Sequence, residues 1–145
     1  MAVTLREDAV YAAPPEAVWE VLADWESQPD WMPDVAWIRV LGPEREEGAH
    51  LEVRTKVFGL PATTDRIRVT VWDPPRELAV VHEGVVRGRG SWVLEPVPPG
   101  TRLLWTEELQ LPGGSAGDLA MRTYAPWQTA MLRRSLSNLR RLVER

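Results

Sequence analysis

The sequence predicts an α+β domain. One antiparallel sheet of seven strands is covered by a single long C-terminal helix, with two short helices between the first strand and the second. Three observations carry this prediction. Seven segments alternate apolar and polar residues with the period of a half-buried strand. Short Gly- and Pro-rich turns separate the last six of them, and consecutive strands joined by short turns pair antiparallel. From Ser115 to Arg145 the period becomes helical, with Leu132, Leu136, Leu139 and Val143 on one face.

The first strand, Val3 to Tyr11, places Val3, Leu5, Glu7, Ala9 and Tyr11 on one side, Glu7 being the odd inward member. Ala13-Pro14-Pro15 ends it. Proline suits the first turn of a helix, and Glu16 to Ala23 follows as a short helix with Val18, Val21 and Leu22 at helical spacing. Asp24 to Asp34 is too rich in proline and tryptophan for more than a second helical turn, ending at Trp31-Met32-Pro33.

The second strand begins at Val35, with Ala36, Ile38 and Val40 alternating against Trp37 and Arg39. His50 to Phe58 turns Leu51, Val53, Thr55 and Val57 inward, and Thr63 to Trp72 does the same with Ile67, Val69 and Val71. Glu77 to Glu83 offers Leu78, Val80 and His82. Arg87 to Glu95 offers Gly88, Gly90, Trp92 and Leu94. The last strand, Thr101 to Leu111, turns Leu103, Trp105, Glu107, Leu109 and Leu111 inward. The opposite face is polar throughout, so the sheet is wet on one side and covered on the other.

Only the last helix is long enough to cover it. Ser115-Ala116-Gly117-Asp118 has capping-box spacing for its start. Pro126 interrupts its hydrogen-bond ladder and is expected to kink it. The leucines of its second half suit close packing, whereas Met121, Tyr124, Trp127, Gln128 and Met131 suit either a bent core or a surface that faces a space.

Composition bounds the rest. At 145 residues without a compositional break, residues 1–145 form one domain. The absence of cysteine excludes disulfides and thiolate chemistry. No apolar run reaches membrane-spanning length and no signal-peptide core is present, which reads as a cytoplasmic protein. A net charge of −4 argues against nucleic acid as a partner, although the arginines of the last helix form a local basic face. Lysine is nearly absent, which fits a heat-tolerant source or a GC-rich genome equally well.

Tyr11-Ala12-Ala13-Pro14-Pro15-Glu16-Ala17-Val18-Trp19 resembles the opening strand-to-helix signature of the START-like polyketide cyclase/dehydrase and lipid-transport superfamily (SRPBCC). Trp31-Met32-Pro33-Asp34-Val35 is similar to its Trp-x-Pro-x-Val segment, and Gly90-Ser91-Trp92-Val93-Leu94-Glu95-Pro96 with Gly100-Thr101-Arg102-Leu103 resembles its penultimate hairpin. The resemblance implies a helix-grip fold, in which the sheet wraps the C-terminal helix around an apolar cavity. It implies no common catalytic residue set, because the family spans carriers, cyclases, quinone-binding proteins and chaperone activators. It also puts Gly59-Leu60-Pro61 and Gly113 to Gly117 at one end of the grip, as its mouth.

Strand parity and the helix face nominate the cavity wall: Leu78, Val80, His82, Trp92, Leu103, Trp105 and Glu107 from the sheet, with Met121, Tyr124, Gln128 and Met131 from the helix. His82 and Glu107 are the candidate acid–base pair of a cyclase or dehydratase, set about 9–10 Å apart by the strand between them, a gap that fits a ring. They serve equally as a polar station that orients a bound amphiphile. Glu7 and Glu107 need solvent or a cation such as Arg122. Gly113-Gly114-Ser115-Ala116-Gly117 matches a hydrolase nucleophile elbow, but no histidine follows His82 to serve it. His50 and His82 lack metal-ligand spacing, so neither metal nor cofactor is implied. The expected partner is a small hydrophobic ligand: a lipid, a polyketide-like aromatic or a quinone. The alternatives are an enzyme and an interaction module using the arginine-rich helix or the Trp25–Trp37 segment. The sequence leaves the oligomeric state open.

Overall fold

A computed structural model describes residues 2–144. Strands β1 (Val3–Tyr11), β2 (Val35–Val40), β3 (His50–Val57), β4 (Leu60–Asp73), β5 (Glu77–Glu83), β6 (Arg87–Val97) and β7 (Gly100–Gln110) form one sheet. Their order is β1-β7-β6-β5-β4-β3-β2, with every neighbouring pair antiparallel. Helix α1 (Pro15–Ala23) and a 3-10 turn (Trp25–Asp30) connect β1 to β2, and α2 (Gly114–Val143) follows β7. This is the helix-grip arrangement.

Tertiary packing explains why α2 lies where it does. Its Leu132, Leu136, Leu139 and Val143 are buried, and α2 packs chiefly against β1, with smaller contacts to β7 and α1, at one side of the sheet. Each fully buried leucine contributes about 1.5–3 kcal/mol. A polar tie fixes the helix register, the Tyr11 hydroxyl donating to the Leu136 carbonyl at 2.7 Å, while the Thr101 hydroxyl, donating to the Ala13 carbonyl at 2.7 Å, ties β7 to the turn after β1. Because α2 sits over the β1–β7 side, it leaves space over the inward residues of β3, β4 and β5 such as Val53, Ile67 and Val80.

Several expectations need correcting. α2 begins at Gly114, with left-handed Gly113 (φ 103°) as its N-cap and no side-chain cap bond, so Ser115 lies inside the first turn instead of capping it. Gly117 can approach the chain entering the helix because it lacks a Cβ, which would lie in contact with the Pro112 carbonyl. In β4 the pairing slips at Thr70, so Trp72, not Val71, lies opposite inward-facing Leu78 and packs edge-on against Trp19. Glu7 is neutralised by Arg133 at 2.9 Å, not by Arg122, because the helix turns Arg133 toward β1. Arg140 bonds Glu144 and the Val10 carbonyl and lies over the Tyr11 ring, so part of the basic face is spent within the fold. Trp25 and Trp31 are fully buried, which withdraws them from any docking surface.

Candidate functional site

The covered face of the sheet encloses a cavity of about 700 Å³ between β3–β7, the Trp25–Val35 segment and the first half of α2. Its size fits a drug-sized or polycyclic molecule. The floor is aromatic. Trp92 and Trp105 are cross-strand partners on β6 and β7, with ring centroids 5.6 Å apart. Trp31 packs on both from behind, and Trp25 stacks on Trp92 at 6.4 Å. Val53, Val57, Ile67 and Val80 make the far wall.

Of the residues nominated from sequence, Leu78, Val80, His82, Trp92, Trp105, Glu107, Tyr124 and Gln128 line this cavity. Leu103, Met121 and Met131 do not. Leu103 has the right parity but lies where β7 is roofed by the helices, and it and Met121 are fully buried in packed core. Met131 is half-buried and lies one helical turn beyond Gln128, outside the lining. Trp127 also stays out of the cavity; it packs against Phe58 and Tyr124 near the opening. Phe58 and Gly59 both have positive φ, as a two-residue primed hairpin turn requires, and Phe58 is held there 63% exposed at the cavity rim. Leu119 and Val85 add two more exposed apolar residues to the lining.

Besides the Thr63–Asp65 pair, the polar part of the wall has two hydrogen-bonded groups. In the first, His82 Nε2 lies 3.0 Å from Glu107 Oε2, and Trp105 Nε1 donates to Glu107 Oε1 at 2.9 Å. The expected gap for a ring between His82 and Glu107 is therefore absent: the two side chains reach across β6 and bond each other. Gly90 makes that possible, since a Cβ there would lie 2.8 Å from both Glu107 oxygens. The inward glycines of β6 were the visible signal, and their meaning depended on which side chains flank them. Burial pulls the His82 pKa down, but the charge and hydrogen bond of Glu107, with Asp65 beyond, outweigh it, and the net shift is upward.

The second group joins Tyr124 and Gln128, both nominated from the sequence, to Asp34, which was not. Tyr124 donates to Gln128 Oε1 at 2.7 Å, and Gln128 Nε2 approaches Asp34 Oδ2 at 3.4 Å. Asp34 is buried at the start of β2, where its carbonyl accepts from the Lys56 amide. Burial pushes its carboxyl up to about 6, with the charge of Glu107 adding to the rise. Burial, reinforced by Asp34 and Glu107, also holds Tyr124 well above the ordinary phenol range, so it remains a neutral donor. Asp34 lies within the Trp31–Val35 segment, whose residues suggested a helical turn and a family motif but no place on the cavity wall.

One consequence concerns His82 directly. A histidine with a raised folded pKa contributes stability that is complete below the unfolded value of 6.5 and is lost as pH rises through the folded one. Glu107→Gln removes the charge and leaves burial dominant, so the His82 titration followed by NMR should move downward. Gly90→Ala, by displacing the carboxylate, should move it the same way. An unchanged titration in both variants would show that Glu107 does not hold the imidazole.

A curved antiparallel sheet that grips one helix and keeps a large, mostly apolar cavity defines a class: helix-grip proteins with an internal chamber. The chain belongs to the polyketide cyclase / dehydrase and lipid transport family, whose profile matches residues 2–144. An uncharacterized protein of Mycobacterium tuberculosis is 28% identical over 144 residues, spanning 96% of this chain and 83% of that one. Solved structures share the fold, among them the following two. A Thermus thermophilus protein has a TM-score of 0.79 at 22% identity, covering 97% of each chain. The Zhui aromatase/cyclase of a Streptomyces species has a TM-score of 0.76 at 21% identity, covering 99% of this chain and 92% of that one. Among the described residues, no helix is long and apolar enough to cross a membrane, and no cluster of three or more His, Asp or Glu side chains is placed to hold a metal.

Proposed function

We propose that this protein binds or carries a small hydrophobic molecule, such as a lipid, a polyketide-like aromatic or a quinone, in the cavity between sheet and α2. The carrying observation is the cavity itself: about 700 Å³, with an aromatic floor of Trp92 and Trp105 and a wall that is mostly apolar. Leu78, Val80 and the tryptophans supply apolar contact. His82, Glu107, Tyr124 and Gln128 orient the guest's polar end, because leaving that end unpaired in such a chamber costs a few kcal/mol. Native mass spectrometry of freshly purified protein tests the proposal, and a bound molecule of a few hundred daltons is the expected result. If one travels with the protein, His82→Ala and Glu107→Gln should each weaken its binding by about 1–3 kcal/mol where a hydrogen bond is lost. A protein that emerges empty and takes up no apolar dye would count against the proposal.

A second function, polyketide cyclisation or dehydration, draws on the same pair. A histidine bonded to a carboxylate at 3.0 Å on a cavity wall is a credible proton-transfer group for an enolisable ketone. Turnover of a polyketide-type substrate, abolished by either substitution while affinity persists, would establish that function in place of carriage.

A further inference from the structure

The cavity's charges and hydrogen bonds restrict the polar end of its guest. The ionisable residues on its wall are Asp34, Asp65, Glu107, His82 and Tyr124, and no arginine or lysine is among the lining. The imidazole is already matched by Glu107, so Asp34 and Asp65 leave the chamber with an excess of carboxylate. Most of the wall's side-chain donors are also committed, the Thr55 and Ser91 hydroxyls being exceptions. His82 and Trp105 serve Glu107, Tyr124 serves Gln128, Gln128 approaches Asp34, and the Thr63 hydroxyl bonds Asp65. The indole N–H of Trp92 has no partner, but it is buried out of reach of a guest. Carboxylate oxygens, by contrast, each accept about two hydrogen bonds and here keep capacity to spare. A guest therefore meets acceptors and negative charge on an aromatic floor whose π-faces also favour cations.

We propose that the cavity selects hydrophobic molecules whose polar end donates hydrogen bonds, an amine or a hydroxyl, and excludes those ending in a carboxylate or phosphate. This rests on the binding function proposed above and adds the class of ligand. An anionic end would lose its water without gaining an arginine or lysine partner, next to carboxylates that repel it.

The test uses three pyrenes of one size: 1-pyrenemethylamine, 1-pyrenemethanol and 1-pyrenecarboxylate. Binding at pH 7.5 is read by energy transfer from the tryptophans. The amine and the carboxylate are both ionised, so their comparison isolates the sign of the charge. The amine is expected to bind at least tenfold more tightly than the carboxylate, with the alcohol also ahead of the carboxylate. Asp34→Asn and Asp65→Asn, each confirmed folded by circular dichroism, should narrow the gap between amine and carboxylate. A carboxylate that binds as well as the amine would overturn the inference while leaving the cavity's binding role intact. A gap unchanged in both variants would overturn its assignment to these carboxylates. If none of the three binds, the binding function itself falls, and the selectivity with it.

Discussion

Trp31→Ala is expected to destabilise the fold by about 3–5 kcal/mol, the range for emptying a large aromatic site in a core that cannot close over it. Trp31 is fully buried, with its ring 5.7 Å from Trp92 and 6.0 Å from Trp105. Removing it takes the backing from the cavity floor, so any guest affinity should fall with stability. Trp31→Phe separates packing from polarity. The Trp31 indole N–H is buried without a partner, and phenylalanine keeps most of the aromatic area while removing that unpaired donor. Its cost should be no more than about 1.5 kcal/mol. Urea denaturation of the three proteins checks both values. Equal losses in the two variants would mean that the floor depends on the indole as such.

Asp34 should make the protein less stable as pH rises from about 4 to about 6. The carboxyl titrates near 3.8 when unfolded and near 6 when folded, so the native state holds the extra proton between those values. Stability falls with pH wherever the native state binds more protons. A shift of about two units corresponds to roughly 3 kcal/mol, fully lost above the folded value. Asp34→Asn keeps an acceptor for Gln128 and cannot ionise. The variant should therefore be the more stable protein at pH 7, and the difference should vanish near pH 3.5. Taking the difference between the two proteins cancels the other carboxylates, whose titration is common to both. Parallel stability curves from pH 3.5 to 7.5 would sink this account. The cost fits a buried carboxylate kept for what it does in the cavity, since packing alone would prefer asparagine.

The sequence by itself determined the elements. Side chains alternate along a strand and recur every three to four residues on a helix, so a half-buried sheet and an amphipathic helix are written directly into local patterns. For the same reason His82, Trp92, Trp105 and Glu107 could be assigned to the covered face, and they do line the cavity. Parity failed where the pairing slips. The shift at Thr70 turned Trp72 inward in place of Val71, and a bulge depends on how the partner strand fits, not on the strand's own residues.

Only the tertiary structure decided which inward residues face space and which face core. Leu103 and Leu78 have the same parity on the sheet and both are buried, yet only Leu78 borders the cavity, because the helices pack over the β1–β7 side. The direct bond between His82 and Glu107 needed strands two apart to carry side chains that reach over Gly90. Asp34 became a cavity residue only when a turn at the far end of the chain from α2 was brought beneath Gln128, 94 residues away. Periodicity reports the direction of a side chain from its own backbone, whereas a cavity is the place where two distant elements fail to meet, and that distance is set by the packing of the whole chain.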